Sequence, residues 1–385
     1  MSVWEEGTVV NVNLWPPVVT LLSHELRRSK NNILCANRYR QFEAHKNRST
    51  DNKQLTSHRF EFFTSYTTMT TTTSSTSGST VKTTTFDSLG VKITGKLYLP
   101  STFDESKKFP TIIMAPPFPQ VKDQALSNYG PKFADKGFVT LAFDWNSTGE
   151  SETFSGGFRN DQNIPRKWED VRNGISYLCS QSFVDTDKLY AVGMCGGGNI
   201  MSSVLITDLR VKKFATISAM LASDAFVLGD KDAFIARIKA ANAVRQEMYE
   251  TGKPVYKDAF GYTDPDFLEK NKNAPPGVLE GYDFYGTARG GTERYPNYTN
   301  CILGNIDETT SMNLGEHYAD KMIQPFMGVV GSEADTAPCT KMFYDKVTSE
   351  KEYVVIEGAS HVAMYDKPEY INQAVDKITA FFGKV

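Results

Sequence analysis

Three residues in this chain could together move an acyl group: a thiol, an imidazole and a carboxylate, each placed just after a run that reads as a β-strand. The thiol is Cys195, within Leu189-Tyr190-Ala191-Val192-Gly193-Met194-Cys195-Gly196-Gly197-Gly198. An apolar run ends there in Gly-x-Cys-x-Gly, and a segment able to form a helix follows. This is the form of a nucleophile elbow, where a sharp strand-to-helix turn pushes one side chain outward. Strand and helix crowd such a turn, so its neighbours must be small, as Gly193 and Gly197 are. The first turn of the following helix offers unpaired N–H groups and a positive dipole end, which favour thiolate.

A thiol nucleophile needs a base, and the base needs a group to orient it. The chain has five histidines; His24, His45 and His58 fall in an N-terminal stretch unlike the rest, leaving His317 and His361. His361 closes Glu357-Gly358-Ala359-Ser360-His361, beyond the last strand signal. Sites on open α/β sheets gather at those carboxyl ends, so His361 is the expected base. The preceding strand signal leads into Gly331-Ser332-Glu333-Ala334-Asp335-Thr336. Asp335, further out in that loop, is the expected acid, with Glu333 as the alternative. The order Cys, Asp, His is the one in which sheets with a nucleophile elbow carry nucleophile, acid and base.

Acyl transfer also requires donors for an oxyanion. The N–H of Gly196 is one; the loop Pro116-Pro117-Phe118-Pro119-Gln120-Val121-Lys122-Asp123-Gln124 should give another. Its prolines have no N–H, which leaves Phe118 or Gln120. Gln120 and Lys122 are also candidate substrate-binding side chains, Lys122 being either a surface charge or a partner for an anionic group. The glycines of the elbow make no phosphate loop, since no Lys-Ser/Thr follows, and Met201 stands where a dinucleotide fingerprint needs its third glycine.

These residues require a scaffold of alternating strands and helices. Val91, Ile93, Leu97 and Leu99 alternate as in a hairpin arm. Strands are then expected at 111–115, 138–143, 189–194, 213–219, 326–331 and 353–357, with helices at 123–136, 168–178, 197–205, 341–347 and around 371–382. Such repeated units predict an α/β fold, a mostly parallel sheet covered on both faces. Residues 221–322 interrupt the alternation with a helix from Lys231 to Glu250 and a loop-rich, aromatic stretch, and read as a cap inserted over the strand ends. Its aromatics are expected chiefly as cap core, with some lining an apolar site.

The 385 residues carry a formal net charge of −3, with 40% hydrophobic residues, enough for a sizeable core. Near-neutral charge without a basic cluster speaks against a nucleic-acid partner, and no apolar run approaches the 18 residues of a membrane span. Cys35, Cys179, Cys195, Cys301 and Cys339 are odd in number and widely spaced. They suggest no disulfide framework and no zinc site, and so a reducing, cytoplasmic setting. Residues 1–80, rich in Thr and Ser towards their end, are expected to be disordered. They read either as a targeting or regulatory extension or as a gene-model artefact with translation starting at Met69. The folded catalytic domain is expected over 81–385.

Several of these segments resemble one family. Val121-Lys122-Asp123-Gln124, Phe143-Asp144 through Gly149-Glu150-Ser151, Gly193 to Gly198, Gly331 to Thr336, and Glu357 to His361 with Tyr365-Asp366-Lys367 are similar to the dienelactone hydrolase-like branch of the α/β-hydrolase fold that carries Cys in the elbow. More narrowly they resemble the fungal polyketide transferase family and its bacterial relatives. The resemblance implies a cofactor-independent enzyme, without metal, acting on small acyl esters or thioesters through Cys195, Asp335 and His361. Relatives often have glycines where Pro117 and Pro119 stand here. Hydrolysis and acyl transfer to an alcohol both fit these residues. A non-catalytic protein binding a small ligand is the competing class, and a peptidase ranks lower. Oligomeric state is not legible.

Overall fold

The alternating residues from Val91 fold into one arm of a hairpin, β2 (Val91–Leu99), paired antiparallel with β1 (Thr80–Ser88). The computed structural model describes residues 78–222 and 229–383, so the expected N-terminal extension lies almost wholly outside the described residues. The chain continues through β3 (Phe109–Ala115), α1 (Ala125–Asp135), β4 (Val139–Phe143), α2 (Ile164–Cys179), β5 (Val184–Met194), α3 (Gly196–Leu205) and β6 (Lys213–Ile217). These follow the expected alternation. After an insertion come β9 (Phe326–Gly331), α6 (Ala337–Lys346), β10 (Lys351–Ile356) and α7 (Pro368–Gly383).

Eight strands form one sheet in the order β1-β2-β4-β3-β5-β6-β9-β10. β2 runs antiparallel to β1 and β4, and the other neighbours are parallel. Central strands read as unbroken apolar runs because both faces are buried. On β3, Ile112 and Met114 enter the core beneath α1 and α7, while Ile113 and Ala115 enter the one beneath α2 and α3. Tyr129 and Phe133 of α1 and Ile378 and Phe382 of α7 fill the first; Val171, Ile175 and Val204 of α2 and α3 fill the second. No helix among the described residues is long and apolar enough to cross a membrane.

The insertion between β6 and β9 has elements of its own: α4 (Lys231–Thr251), a ribbon of β7 (Tyr256–Asp258) and β8 (Cys301–Leu303), and α5 (Pro276–Tyr285). Its aromatics pack mainly on one another, Phe260 on Tyr262 and Tyr285 and Phe267 on Tyr282, with centroids 4.8–5.1 Å apart. Polar ties hold it to the loops at the sheet's carboxyl ends. Arg289 pairs with both Asp366 oxygens at 2.7 Å, the Ser360 hydroxyl donates to Glu280 at 2.8 Å, and Gln124 Nε2 donates to the Gly290 carbonyl at 2.7 Å. Cys179, Cys195 and Cys339 are free, but Cys301 is disulfide-bonded, which departs from a chain of unpaired thiols.

A buried charge cluster joins the loop after β3 to the loop after β4. The Lys122 ammonium donates to Asp144 at 2.8 Å, Glu150 at 2.5 Å and Asp123 at 3.3 Å. Asp144 also accepts from the N–H groups of Lys122 and Glu150. Burial works against the ammonium, yet the three carboxylates hold it charged, above the ordinary lysine range. Removing one member leaves Asp144, fully buried, without its counter-charge. Lys122→Met should therefore cost about 3–5 kcal/mol, read as a lowered midpoint in urea unfolding; a loss under 1 kcal/mol would show that the cluster holds nothing together.

Candidate active site

β5 ends at Met194 and α3 begins at Gly196; the single residue between them, Cys195, has φ 50° and ψ −123°. A non-glycine residue held there costs on the order of 1–3 kcal/mol. The flanking sequence makes the turn feasible. A Cβ on Gly193 would strike the backbone of Gly198, and one on Gly197 would strike the Ala115 and Pro116 carbonyls. The Cys195 N–H donates to Ile217 at 3.1 Å, and its carbonyl accepts from Gly198 at 3.0 Å and Met220 at 3.1 Å.

Beside the partly exposed Cys195 side chain lie the Tyr365 hydroxyl and the backbone N–H groups of Gly196 and Phe118. Burial pushes the thiol's pKa up, and these three neighbours only partly oppose that. The helix N-terminus was expected to favour thiolate; desolvation outweighs it, and the resting group is the thiol.

Phe118 is held from several sides. Its ring lies edge-on to Phe260 with centroids 5.8 Å apart, and the Lys167 ammonium is 5.6 Å from the same ring. Its carbonyl accepts from the Tyr285 hydroxyl at 3.4 Å. The Gln120 N–H is spent on the Pro117 carbonyl at 2.8 Å, so Gln120 is not the second backbone donor. The Gln120 side chain is also committed, donating to Tyr285 at 3.0 Å and accepting from the Ala125 N–H at 3.1 Å. Lys122 is neither a surface charge nor open to a ligand, because its three N–H bonds all go to carboxylates. The substrate-binding expectation for these two residues has no support in their geometry.

His361 follows β10 through a turn at Gly358, with φ 71°. Its Nδ1 is bonded to the Thr336 hydroxyl and its Nε2 to the Tyr365 hydroxyl at 2.7 Å. Burial, with no opposing carboxylate, pushes its pKa down to about 4. Asp335 sits one residue before that hydroxyl but points elsewhere. Its carboxylate fills the place a Cβ on Gly277 would take, beside the N-terminus of α5, where a negative charge is favoured. It is exposed and carries no hydrogen bond or ion pair among the described residues. Glu333 is exposed too, its N–H on the Ala359 carbonyl at 3.0 Å. His317 lies exposed on the turn Leu314–His317, beside α3.

The structure thus brings together Cys195, Gly196, Phe118 and His361, and adds Thr336 and Tyr365, to which the residue-by-residue reading assigned no part. Tyr365 had one signal: it stands four residues after His361, the spacing that puts two side chains on one face of a helical turn. No group of three or more potential metal ligands occurs among the described residues.

An eight-stranded, mostly parallel sheet with a nucleophile-elbow turn after its fifth strand defines the α/β-hydrolase fold, and the comparisons agree. The chain overlays the crystal structure of hypothetical protein PA2218 from Pseudomonas aeruginosa with a TM-score of 0.70, at 24% identity, over 79% of this chain and 93% of that one. It is 28% identical over 300 residues to the uncharacterized protein YcjY of Escherichia coli K12, covering 76% of this chain and 94% of the relative. Polyketide transferase grgF of a Penicillium species is 27% identical over 145 residues, 38% of this chain and 46% of that protein. No family model matches the chain. It is an α/β-hydrolase-fold protein related to YcjY and PA2218 and, over a shorter stretch, to fungal polyketide transferases.

The state of His361 has a consequence for stability. Its folded pKa of about 4 lies below the unfolded value near 6.5, so the unfolded chain binds the extra proton first. The stability tied to the neutral ring is complete above about pH 6.5 and is lost as pH falls through about 4. The loss is on the order of 3 kcal/mol at most. Unfolding free energies of wild type and His361→Gln should converge or cross in the variant's favour between pH 7 and pH 4. A constant difference over that range would mean the ring is not buried neutral.

Proposed function

We propose that the chain is a cofactor-independent acyl hydrolase acting on small esters or thioesters through Cys195. The observation that carries this reading is the convergence of two backbone N–H groups, from Gly196 and Phe118, on the sulfur of a strained elbow residue. When the sulfur attacks an acyl carbonyl, those donors are in place to turn to the developing oxyanion without reorganising. His361 takes the thiol proton and returns it to the leaving alcohol or thiol. Water then resolves the acyl-thioester by the same acid–base cycle.

Thr336 orients the neutral ring. Asp335, its neighbour in the chain, is the proposed acid, a carboxylate that the imidazolium formed during acylation would draw towards Nδ1. Its resting position makes a checkable difference. With no carboxylate on His361, the acid limb of kcat/KM should fall between about pH 4 and 5. An inflection at or above 6.5 would place a carboxylate on Nδ1 in the free enzyme.

A second reading has specific support. The similarity over part of the chain to a polyketide transferase favours transfer to an acceptor other than water, for which we propose an alcohol. Burst kinetics with p-nitrophenyl esters, followed by intact mass, separate the two. An adduct on Cys195 that clears in water, and is absent in Cys195→Ala, is the expected result. An adduct that persists until an alcohol is added would make the enzyme a transferase. No adduct with any ester would remove Cys195 from its role and favour a ligand-binding protein.

A further inference from the structure

We infer that Tyr365 is a catalytic residue, its hydroxyl carrying the proton between the Cys195 thiol and His361 Nε2. The inference rests on the acyl-transfer reading and goes beyond it, because a nucleophile–base pair would ordinarily hydrogen-bond directly. Here His361 Nε2 is occupied by the Tyr365 hydroxyl at 2.7 Å. The same hydroxyl is the side-chain group beside the Cys195 thiol that opposes the upward push of burial on it. Both ring nitrogens of His361 are taken, Nδ1 by Thr336 and Nε2 by Tyr365, so the imidazole does not bond that sulfur directly. Tyr365 therefore stands between the base and the nucleophile.

Its position is fixed by the chain around it. Tyr365 lies on the single turn Ala363–Asp366 and is 1% exposed. The Ser360 hydroxyl accepts from the Ala363 N–H at 3.0 Å, and Tyr129 donates to the Met364 carbonyl at 2.7 Å. Asn128 donates to the carbonyl of Tyr365 itself at 2.9 Å, and Arg289 grips Asp366. The ring meets Phe284 at 5.4 Å and His361 at 5.3 Å, both near edge-on. A hydroxyl held this closely has little freedom to leave its bridging place.

The protonation states suit a relay. Burial first, then the neighbouring Cys195 and Tyr285, push the Tyr365 phenol well above its usual range, so it stays neutral. His361 is neutral as well, and the relay uses its Nδ1–H tautomer, in which Thr336 accepts from Nδ1 and the Nε2 lone pair faces Tyr365. A hydroxyl can accept one proton while giving up another. The Cys195 S–H bond breaks as an O–H bond forms on Tyr365. The original Tyr365 O–H bond breaks as N–H forms on His361 Nε2, and the sulfur's electron pair forms the C–S bond. The carbonyl π pair moves to the oxygen facing Gly196 and Phe118. On collapse the C–O or C–S bond to the leaving group breaks, and the imidazolium proton goes to that group. Tyr365 ends the cycle unchanged.

The test is the burst phase with p-nitrophenyl acetate, measured for wild type and Tyr365→Phe in mixtures of H₂O and D₂O. Phenylalanine keeps the ring contacts and removes the bridge. We expect acylation to slow by about 100-fold or more in the variant. The rate against deuterium fraction should be curved in the wild type, with two protons in flight, and straight in the variant. A residue that merely positions His361 would slow acylation when altered but give a straight line in both proteins, which overturns the relay. An unchanged acylation rate in Tyr365→Phe overturns it too. Should the variant fail to fold, the wild-type curve alone decides. A wild type that forms no Cys195 adduct would instead overturn the acyl-transfer reading beneath it.

Discussion

One backbone conformation governs this site: a non-glycine residue with φ near +50° at the end of the central strand β5. The strain is tolerated because hydrogen bonds from three directions hold Cys195, and because the adjoining glycines let β5, α3 and the loop after β3 approach without side chains between them. The same closeness that forbids a Cβ at Gly197 brings the Phe118 N–H beside the Gly196 N–H. Strain and donor geometry are therefore one feature. Relaxing the turn would lose both the projection of the thiol and the pair of donors it meets.

The rest of the molecule holds that arrangement from two sides. On one side the Lys122 cluster and the Gln120–Tyr285 contact fix the loop that presents Phe118. On the other, Arg289 and Glu280 of the insertion bind the segment carrying His361 and Tyr365. The electrostatic result is a site poised with neutral groups. Burial raises the thiol and lowers the imidazole, so no ion pair waits between them. In the proposed reaction, charge appears only when an acyl carbonyl arrives, beside the backbone N–H groups of Gly196 and Phe118.

Much of this was legible where local sequence dictates local structure. The elbow could be read because its glycines are demanded by backbone sterics, and the strand positions along the chain followed from apolar runs of the right length. The prolines, with no N–H to offer, narrowed the second backbone donor to Phe118 or Gln120, and the fold decided between them by spending the Gln120 N–H on Pro117. Less was legible where the outcome depends on distant partners. Lys122 reads as a charge, but its partners Asp144 and Glu150 lie 22 and 28 residues away, and only the folded loops bury it. Asp335 and Thr336 are adjacent, and which of them meets the imidazole is set by how the loop enters α6 and by the proximity of α5. Most of residues 1–80 and the start of the insertion, 223–228, lie outside the described residues, so nothing here bears on the expected disorder.

The most direct measurement is a crystal structure of the protein after reaction with an ester that deacylates slowly. The account predicts a thioester on Cys195 Sγ whose carbonyl oxygen lies about 2.7–3.1 Å from the N–H groups of both Gly196 and Phe118. An acyl group on another residue, or a carbonyl oxygen turned away from those two donors, would contradict it.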